Sequence, residues 1–323
     1  MTANPRYCVQ RYLLMTLDPV HPGAGGYRLG RVDNSIAREP GTRLPKIPGS
    51  SLHGAARTYA AYAYGDPDAA GQKQDKIAAP ETHPICYTFG YLKGKNKMAS
   101  GVVSIFDARI LLFPVHSAVG PVWVTTAARL KEAGVDVDRG PARKEEIILT
   151  WEHEGRLNLG WLLLNVAAST TVHPPAEWKE TSAWEKASER IALVHESIFS
   201  TIVNSNLEVR TSVAINPETG AAEDGALYTY EAIPRAAFLT AEVVLDEYHP
   251  QQGLFPVTET KQNQPLPQGR TWQTPLDVVR TGLDMMAYLG VGGMGTRGFG
   301  RLQVVGNPVE EDPLAAPKQE GTL

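Results

Sequence analysis

The chain has 323 residues, 42% of them hydrophobic, which is enough for one large domain with its own core or for two small ones. Its net charge of -4 advertises no polyanion partner globally, and its two cysteines, Cys8 and Cys86, argue against a disulfide framework or a Cys-rich zinc site. No N-terminal run reads as a signal and no segment reaches the roughly 20 apolar residues of a membrane span, so the expected setting is a reducing cytoplasm with no membrane partner.

Arg6–Leu17, rich in aromatic and apolar residues, reads as a first strand. A Pro/Gly loop follows, and helix signals begin at PGSSLHGAARTYAAYAY, where Ser50 or Ser51 offers a cap and Leu52, Ala55, Ala56, Tyr59 and Ala63 recur at helical spacing. Asp66 to Lys76 reads as an exposed excursion. Val102–Val115 looks like strand, short break, strand. Thr125 or Thr126 caps a short helix, and EIILT and GWLLLNVAAS are strand-like. Trp184, Ala187, Ile191, Val194 and Ile198 share one face of an amphipathic helix in TSAWEKASERIALVHESIFSTIV. Alternation on both sides of the Asn-Pro-Glu-Thr-Gly turn marks residues 207–234 as a hairpin. RAAFLTAEVVLD is a strand, 249–273 a mobile Gln/Pro-rich loop, and Thr274–Gly290 an amphipathic helix. A glycine run leads to a last strand, RLQVV. With no clean linker, the pattern is one α+β domain over 1–306 with insertions, followed by an acidic, disordered tail over 307–323. Trp151, Trp161 and Trp184 read as core.

The charge distribution says more than the sum. Gly30 to Arg57 holds Arg31, Arg38, Arg43, Lys46 and Arg57 against two acids, Asp33 and Glu39. A basic patch on an acidic chain points to a confined anion site. His21 and Asp33 share the loop between the first strand and the first helix, a common place for function. Among arginines Asp33 is ionised at neutral pH, as an ion-pair partner, as a ligand for a divalent metal, or as the group that orients a hydroxyl beside phosphate. Glu39 reads as an ion-pair partner of the surrounding arginines. GVGGMGTRGFGR satisfies G-x-G-x-x-G through Gly290, Gly292 and Gly295, but it follows a helix and precedes a strand, the reverse of a dinucleotide site. Its backbone with Arg297 and Arg301 could still hold a phosphate, or the run is a helix C-cap and turn. GYLKGKNKM lacks P-loop spacing and reads as a solvated lysine loop. Cys86 and His83 fall two ligands short of a structural zinc site.

Four ordered motifs, HPGAG…LGRVDNSIAREP…LPKIPGSSLHGAAR, FDARILLFPVHSAVGPVWVTT, INPETGAAEDGALYTYEAIP and GVGGMGTRGFGRL, resemble the RAMP (repeat-associated mysterious protein) superfamily, collinearly from Tyr12 to Val305. They look most like the repeated backbone subunit of type III CRISPR–Cas effector complexes, and HPGAG with FDARILLFPV favours the Cmr (type III-B) branch over Csm. The resemblance implies a ferredoxin-like (RRM-like) palm with insertions and a protruding β-hairpin thumb. It further implies copies stacked along one CRISPR RNA (crRNA) with other effector subunits, thumbs that distort the guide–target duplex, and target RNA cut at regular intervals. Asp33 matches the residue the family uses for cutting, with Mg²⁺ as the expected metal; His21 and Glu231 match the rest of the site, although Tyr230 stands where family members often carry a second acid. The expected crRNA contacts are Arg31, Arg38, Arg43, Lys46, Ser50, Ser51, His53, Arg57, Gly292, Gly293, Gly295, Arg297 and Arg301. Two other readings remain: a scaffold that coats crRNA without cutting, and a stand-alone CRISPR repeat-processing endoribonuclease.

Overall fold

Side chains alternate across a strand, so an uninterrupted Tyr-Leu-Leu run must bury both of its faces. In the computed structural model, which describes residues 7–25, 32–71, 74–94, 97–246, 255 and 271–311, Tyr12 and Leu14 enter one core and Leu13 a second core on the other side of a sheet.

The strands used below are, in chain order, β1 (Tyr7–Thr16), β2 (Ala108–Ser117), β3 (Gly120–Thr125), β4 (Glu146–Leu149), β5 (Arg156–Leu159), β6 (Leu162–Ser169), β7 (Ile191–Val194), β8 (Glu208–Ile215), β9 (Ala222–Ala232), β10 (Phe238–Asp246) and β11 (Leu302–Glu311). The long helices are α1 (Gly49–Tyr64), α2 (Glu196–Ser205) and α3 (Pro275–Leu289). The main sheet runs β5-β6-β4-β7-β3-β2-β10-β1-β11, with short Lys46–Ile47 and Val103–Ile105 strands attached to β2 and β10. Its β2-β10-β1-β11 portion is antiparallel throughout, with Leu14 opposite Leu239 and Val304. The β3–β7 and β4–β6 pairs are parallel. β8 and β9 form a separate antiparallel hairpin, Thr211 facing Thr229.

Helices α1 and α3 cover one face of the sheet through Leu52, Ala56, Val278 and Leu283; Leu130, Trp178 and Trp184 close the other. Pro275 at the first turn and reciprocal Thr274–Asp277 hydrogen bonds start α3. The start of α1 differs from the sequence expectation. Neither Ser50 nor Ser51 caps it; the carboxylate of Asp107 accepts from the Gly49 amide at 2.7 Å and pairs with Lys46. A remote acid thus fills the capping role that a local serine was expected to play.

Four further expectations change. The continuous helix through Ile191 is two helices, Ser182–Ser188 and α2, separated by β7, because all four residues of Ile191–Val194 are buried between β3 and β4. Helical spacing and a short fully buried strand are indistinguishable over so few residues. Trp161 is 69% exposed at the turn between β5 and β6, not core. The lysine stretch is a hairpin of Gly90–Lys93 with Lys97–Ser100, in which the Lys93 ammonium donates to the Ile77 and Ala78 carbonyls. β11 continues to Glu311, so residues 307–311 belong to a strand and not to a tail. Most of the 249–273 loop and residues 312–323 lie outside the described residues; Trp272, near its end, is buried and stacks on Tyr64 at 5.2 Å.

The α1–α3 crossing depends on Gly282. A Cβ there would lie 2.2 Å from the Ala56 carbonyl oxygen, so the helix backbones touch. Gly282→Ala is expected to destabilise the protein by about 1–3 kcal/mol through overpacking, lowering the midpoint of a thermal melt by several degrees; an unchanged midpoint would show that the crossing yields freely.

Candidate active site

Where the loop after β1 passes the root of the hairpin, buried backbone groups need partners, and the last residues of β9 supply them. Val20 and Ile233 exchange both backbone hydrogen bonds at 2.9 Å. The Asn34 amide donates to the Thr229 carbonyl at 3.0 Å, and the Glu231 amide donates to the Asn34 carbonyl at 3.1 Å. The loop therefore grips β9 from two directions, and three consecutive residues, Thr229, Tyr230 and Glu231, each engage a sequence-predicted site residue.

Thr229 holds Asp33. Both its amide (2.7 Å) and its hydroxyl (2.9 Å) donate to Oδ2 of the carboxylate, while the Asp33 amide lies 3.1 Å from the Thr229 hydroxyl oxygen. The first two bonds hold the Asp33 carboxyl below the usual carboxylate range, the backbone bond contributing most. The side chain is exposed, so the charge is presented to solvent. Tyr230 meets the edge of the His21 ring at 6.2 Å. His21 is buried, and its Nδ1 lies 2.6 Å from the Glu231 carbonyl oxygen. A carbonyl only accepts, so Nδ1 carries a proton, and in the neutral ring Nε2 carries the lone pair.

The carboxylate of Glu231 is paired with Arg38 at 2.8 Å, with 12% and 15% of the two side chains exposed. Arg38 also donates to Asn204 of α2 and to the Ile36 carbonyl. Sequence reasoning expected Arg38 to face RNA and Glu231 to do chemistry; geometry makes them the bolt between loop, hairpin and α2.

The glycine run is fastened to the same place. The Gly293 amide donates to the His21 carbonyl at 2.9 Å, and Gly292 has φ +87° with that oxygen 2.7 Å from where a Cβ would sit. No side chain fits at Gly292. Tyr228, Tyr230 and Phe299 make successive ring contacts, with the Arg210 guanidinium 4.5 Å from the Phe299 ring and Arg297 bonded to the Tyr228 hydroxyl. Beyond this ladder a groove of about 340 Å³ opens between α1 and the run, lined by Ser51, Thr58, Tyr59, Gly292 and Gly295.

The remaining predicted contacts separate. Arg43 is exposed on a tight turn at φ 63°. Ser50 is exposed at the start of α1, and Lys46 pairs with Asp107. Arg301 is tied to Asp18, whose carboxyl it holds below its usual range chiefly by hydrogen bonding. Arg57 is a correction: it sits on the buried stripe of α1, 6% exposed, its Nε donating to the Ala69 carbonyl at 2.9 Å, and burial lowers its pKa. His53 packs half-buried against Phe89. Arg57 does not offer its polar atoms to an extended ligand. Glu39 pairs with Arg109 of β2, not with the arginines beside it in sequence. Arg31 lies outside the described residues. Thr229, Asn204, Asn34 and Asp107 went unrecognised; only Thr229 carried a signal, since period-2 alternation puts it on the same face as Glu231.

Among the described residues no three His, Cys, Asp or Glu side chains converge as a protein-only metal site. His83 pairs with Asp66, and burial pushes the Cys86 thiol up to about 11. A magnesium ion, however, keeps several waters and takes one or two carboxylates plus phosphate oxygens. An exposed, ionised carboxylate such as that of Asp33, with Thr229 donating to its Oδ2, is the type of single carboxylate ligand such an ion takes.

The sequence matches the RAMP superfamily over residues 13–303. The chain belongs to that superfamily. Within it, the chain is of the Cmr4 kind: it is 30% identical over 241 residues to the Pyrococcus furiosus protein named "CRISPR system Cmr endoribonuclease Cmr4", covering 68% of this chain and 76% of that protein. Its fold is similar to that of a subunit in a cryo-EM structure of the type III-B Cmr-beta complex bound to cognate target RNA (TM-score 0.62, 16% identity, 93% of this chain and 98% of that one). It also resembles the crystal structure of oligomeric Cmr4 from Pyrococcus furiosus (TM-score 0.53, 19% identity, 94% and 98%). Among the described residues no helix is long and apolar enough to cross a membrane.

A raised thiol pKa disfavours the thiolate that alkylating agents attack. Cys86 is expected to resist iodoacetamide at pH 8 in the native protein and to react fully in guanidinium, as read by peptide mass spectrometry; prompt native labelling would show the site to be open.

Proposed function

We propose that the chain is the repeated backbone subunit of a type III-B CRISPR effector, and that it binds crRNA and cuts the paired target RNA. The observation that carries the reading is the exposed Asp33 carboxylate, held as an anion by Thr229 at the hairpin root, two residues before the Glu231 carbonyl that accepts from Nδ1 of His21. The topology supports a ferredoxin-like palm: β1-α1-β2 and β10-α3-β11 interlock in the order β2-β10-β1-β11, with both helices on one face. The β8–β9 hairpin is then the thumb, and palm, insertions and thumb belong to the single domain expected over 1–306.

Cutting needs no protein nucleophile. The 2′-oxygen of one nucleotide attacks the adjacent phosphorus in line, the new O–P bond forms as the P–O5′ bond breaks, the 2′ proton leaves and O5′ gains one. Holding RNA in that geometry supplies up to roughly 7–11 kcal/mol of the barrier reduction. The thumb is suited to impose it. Asp33, held ionised, orients and balances charge; Nε2 of His21 carries the lone pair in the neutral ring and is the proton acceptor of the proposal. Asp33 Oδ1 would hold a Mg²⁺ ion, which supplies charge neutralisation at the phosphate when bound. The guide backbone lies most readily along the α1–glycine groove, where backbone amides read no sequence.

Asp33→Ala, in the assembled effector, is expected to leave target binding within about twofold while slowing cutting on the order of 100-fold or more, measured with end-labelled complementary RNA. Wild-type cutting by that variant would remove Asp33 from the chemistry. The wild-type complex is expected to yield a regular ladder of products, abolished by EDTA and restored by Mg²⁺. Intact target would favour a pure scaffold, and cleavage of free repeat RNA by the lone subunit would favour a processing enzyme.

A further inference from the structure

The thumb strand does more than protrude. The pairing of Thr211 with Thr229 puts both on one face of the hairpin, with Val209 and Glu231 next along the same face. That face meets Asp33. The two Thr229 donors converge on one oxygen, Oδ2, and the Asp33 amide closes the contact back onto the Thr229 hydroxyl. Both donors belong to one residue, so the position of Oδ2 is tied to Thr229 by two charge-assisted hydrogen bonds. Asp33 itself sits in a loop, and the next residue, Asn34, is joined to Thr229 and Glu231 by backbone hydrogen bonds. Its placement therefore follows the thumb strand.

Resting on the function proposed above, we infer that Thr229 is the positioning residue of the site. It locks Oδ2, aims Oδ1 at the target strand, and makes the carboxylate's position depend on where the thumb root sits. The Glu231–Arg38–Asn204 contacts hold that root against α2, so the thumb that bends the RNA and the carboxylate that serves the bent phosphate move as one piece. A thumb shifted by the wrong duplex would carry Asp33 with it.

The test uses the assembled effector at saturating target, in single turnover. Thr229→Val keeps shape and removes the hydroxyl; Thr229→Ser keeps the hydroxyl. The expected result is unchanged target affinity for both, a cleavage rate constant roughly 10- to 100-fold lower for Val, since small misplacements cost that much, and a rate within about threefold of wild type for Ser. Equal rates for Val and wild type overturn the inference. So does a Ser variant as slow as Val, which would assign the effect to packing. If Thr229→Val does not assemble, Thr229→Ala replaces it under the same criteria, and failure of both variants to assemble also overturns the inference, assigning Thr229 a folding role. Asp33→Ala run alongside separates the two ideas: if it cuts normally, the functional reading falls; if it is inert while Thr229→Val is normal, only the positioning role falls.

Discussion

The site depends on one backbone constraint: the end of β9 must find partners for its amides and carbonyls, and the loop after β1 is what lies within reach. Val20 pairs with Ile233 on one side and Asn34 bridges Thr229 and Glu231 on the other. Burying those groups unpaired would cost several hydrogen bonds' worth of desolvation. The clasp forces His21, Asp33 and Arg38, spread over eighteen positions of sequence, onto three successive residues of one strand. The glycine run follows because the Gly293 amide needs the His21 carbonyl, and Gly292 alone permits the approach.

Charge is used sparingly around this clasp. Of the basic residues in the 30–57 segment that the structure describes, Arg38 bolts Glu231, Lys46 neutralises the acid that caps α1, and Arg57 is spent inside the helix interface. Arg43 remains exposed on its turn, and Arg297 across the glycine run. A strongly basic surface is absent from the described part of this segment, in line with a net charge of -4. The aromatic ladder from Tyr228 to Phe299, flanked by Arg210 and Arg297, stiffens the joint between hairpin and loop without adding a buried charge.

Sequence patterns identified the elements whose signals are local. The Thr274–Asp277 start of α3, the Asn-Pro-Glu-Thr-Gly turn of the hairpin and the helical stripe of α1 all depend on residues within four or five positions, so they were legible. Ile191–Val194 was misassigned because a fully buried strand and a helix stripe look alike over four residues. The role of Arg57 was legible in principle: its place on the Leu52–Ala56–Ala60 stripe marks it as inward-facing, and net basicity obscured that.

Sequence alone determined the superfamily, the candidate aspartate and the hairpin, because ordered motifs and alternation survive without knowledge of neighbours. Only the tertiary structure decided what each charge does. Arg38 and Glu231 are 193 positions apart and Asp33 and Thr229 are 196 apart; no spacing rule links them. Whether a cation faces a ligand or an internal acid is set by which distant carboxylate the fold brings within 3 Å, and a carboxylate's orientation by how many donors reach the same oxygen. Those are contacts across a sheet and a loop, fixed by packing and backbone pairing and by nothing local to the residues that make them.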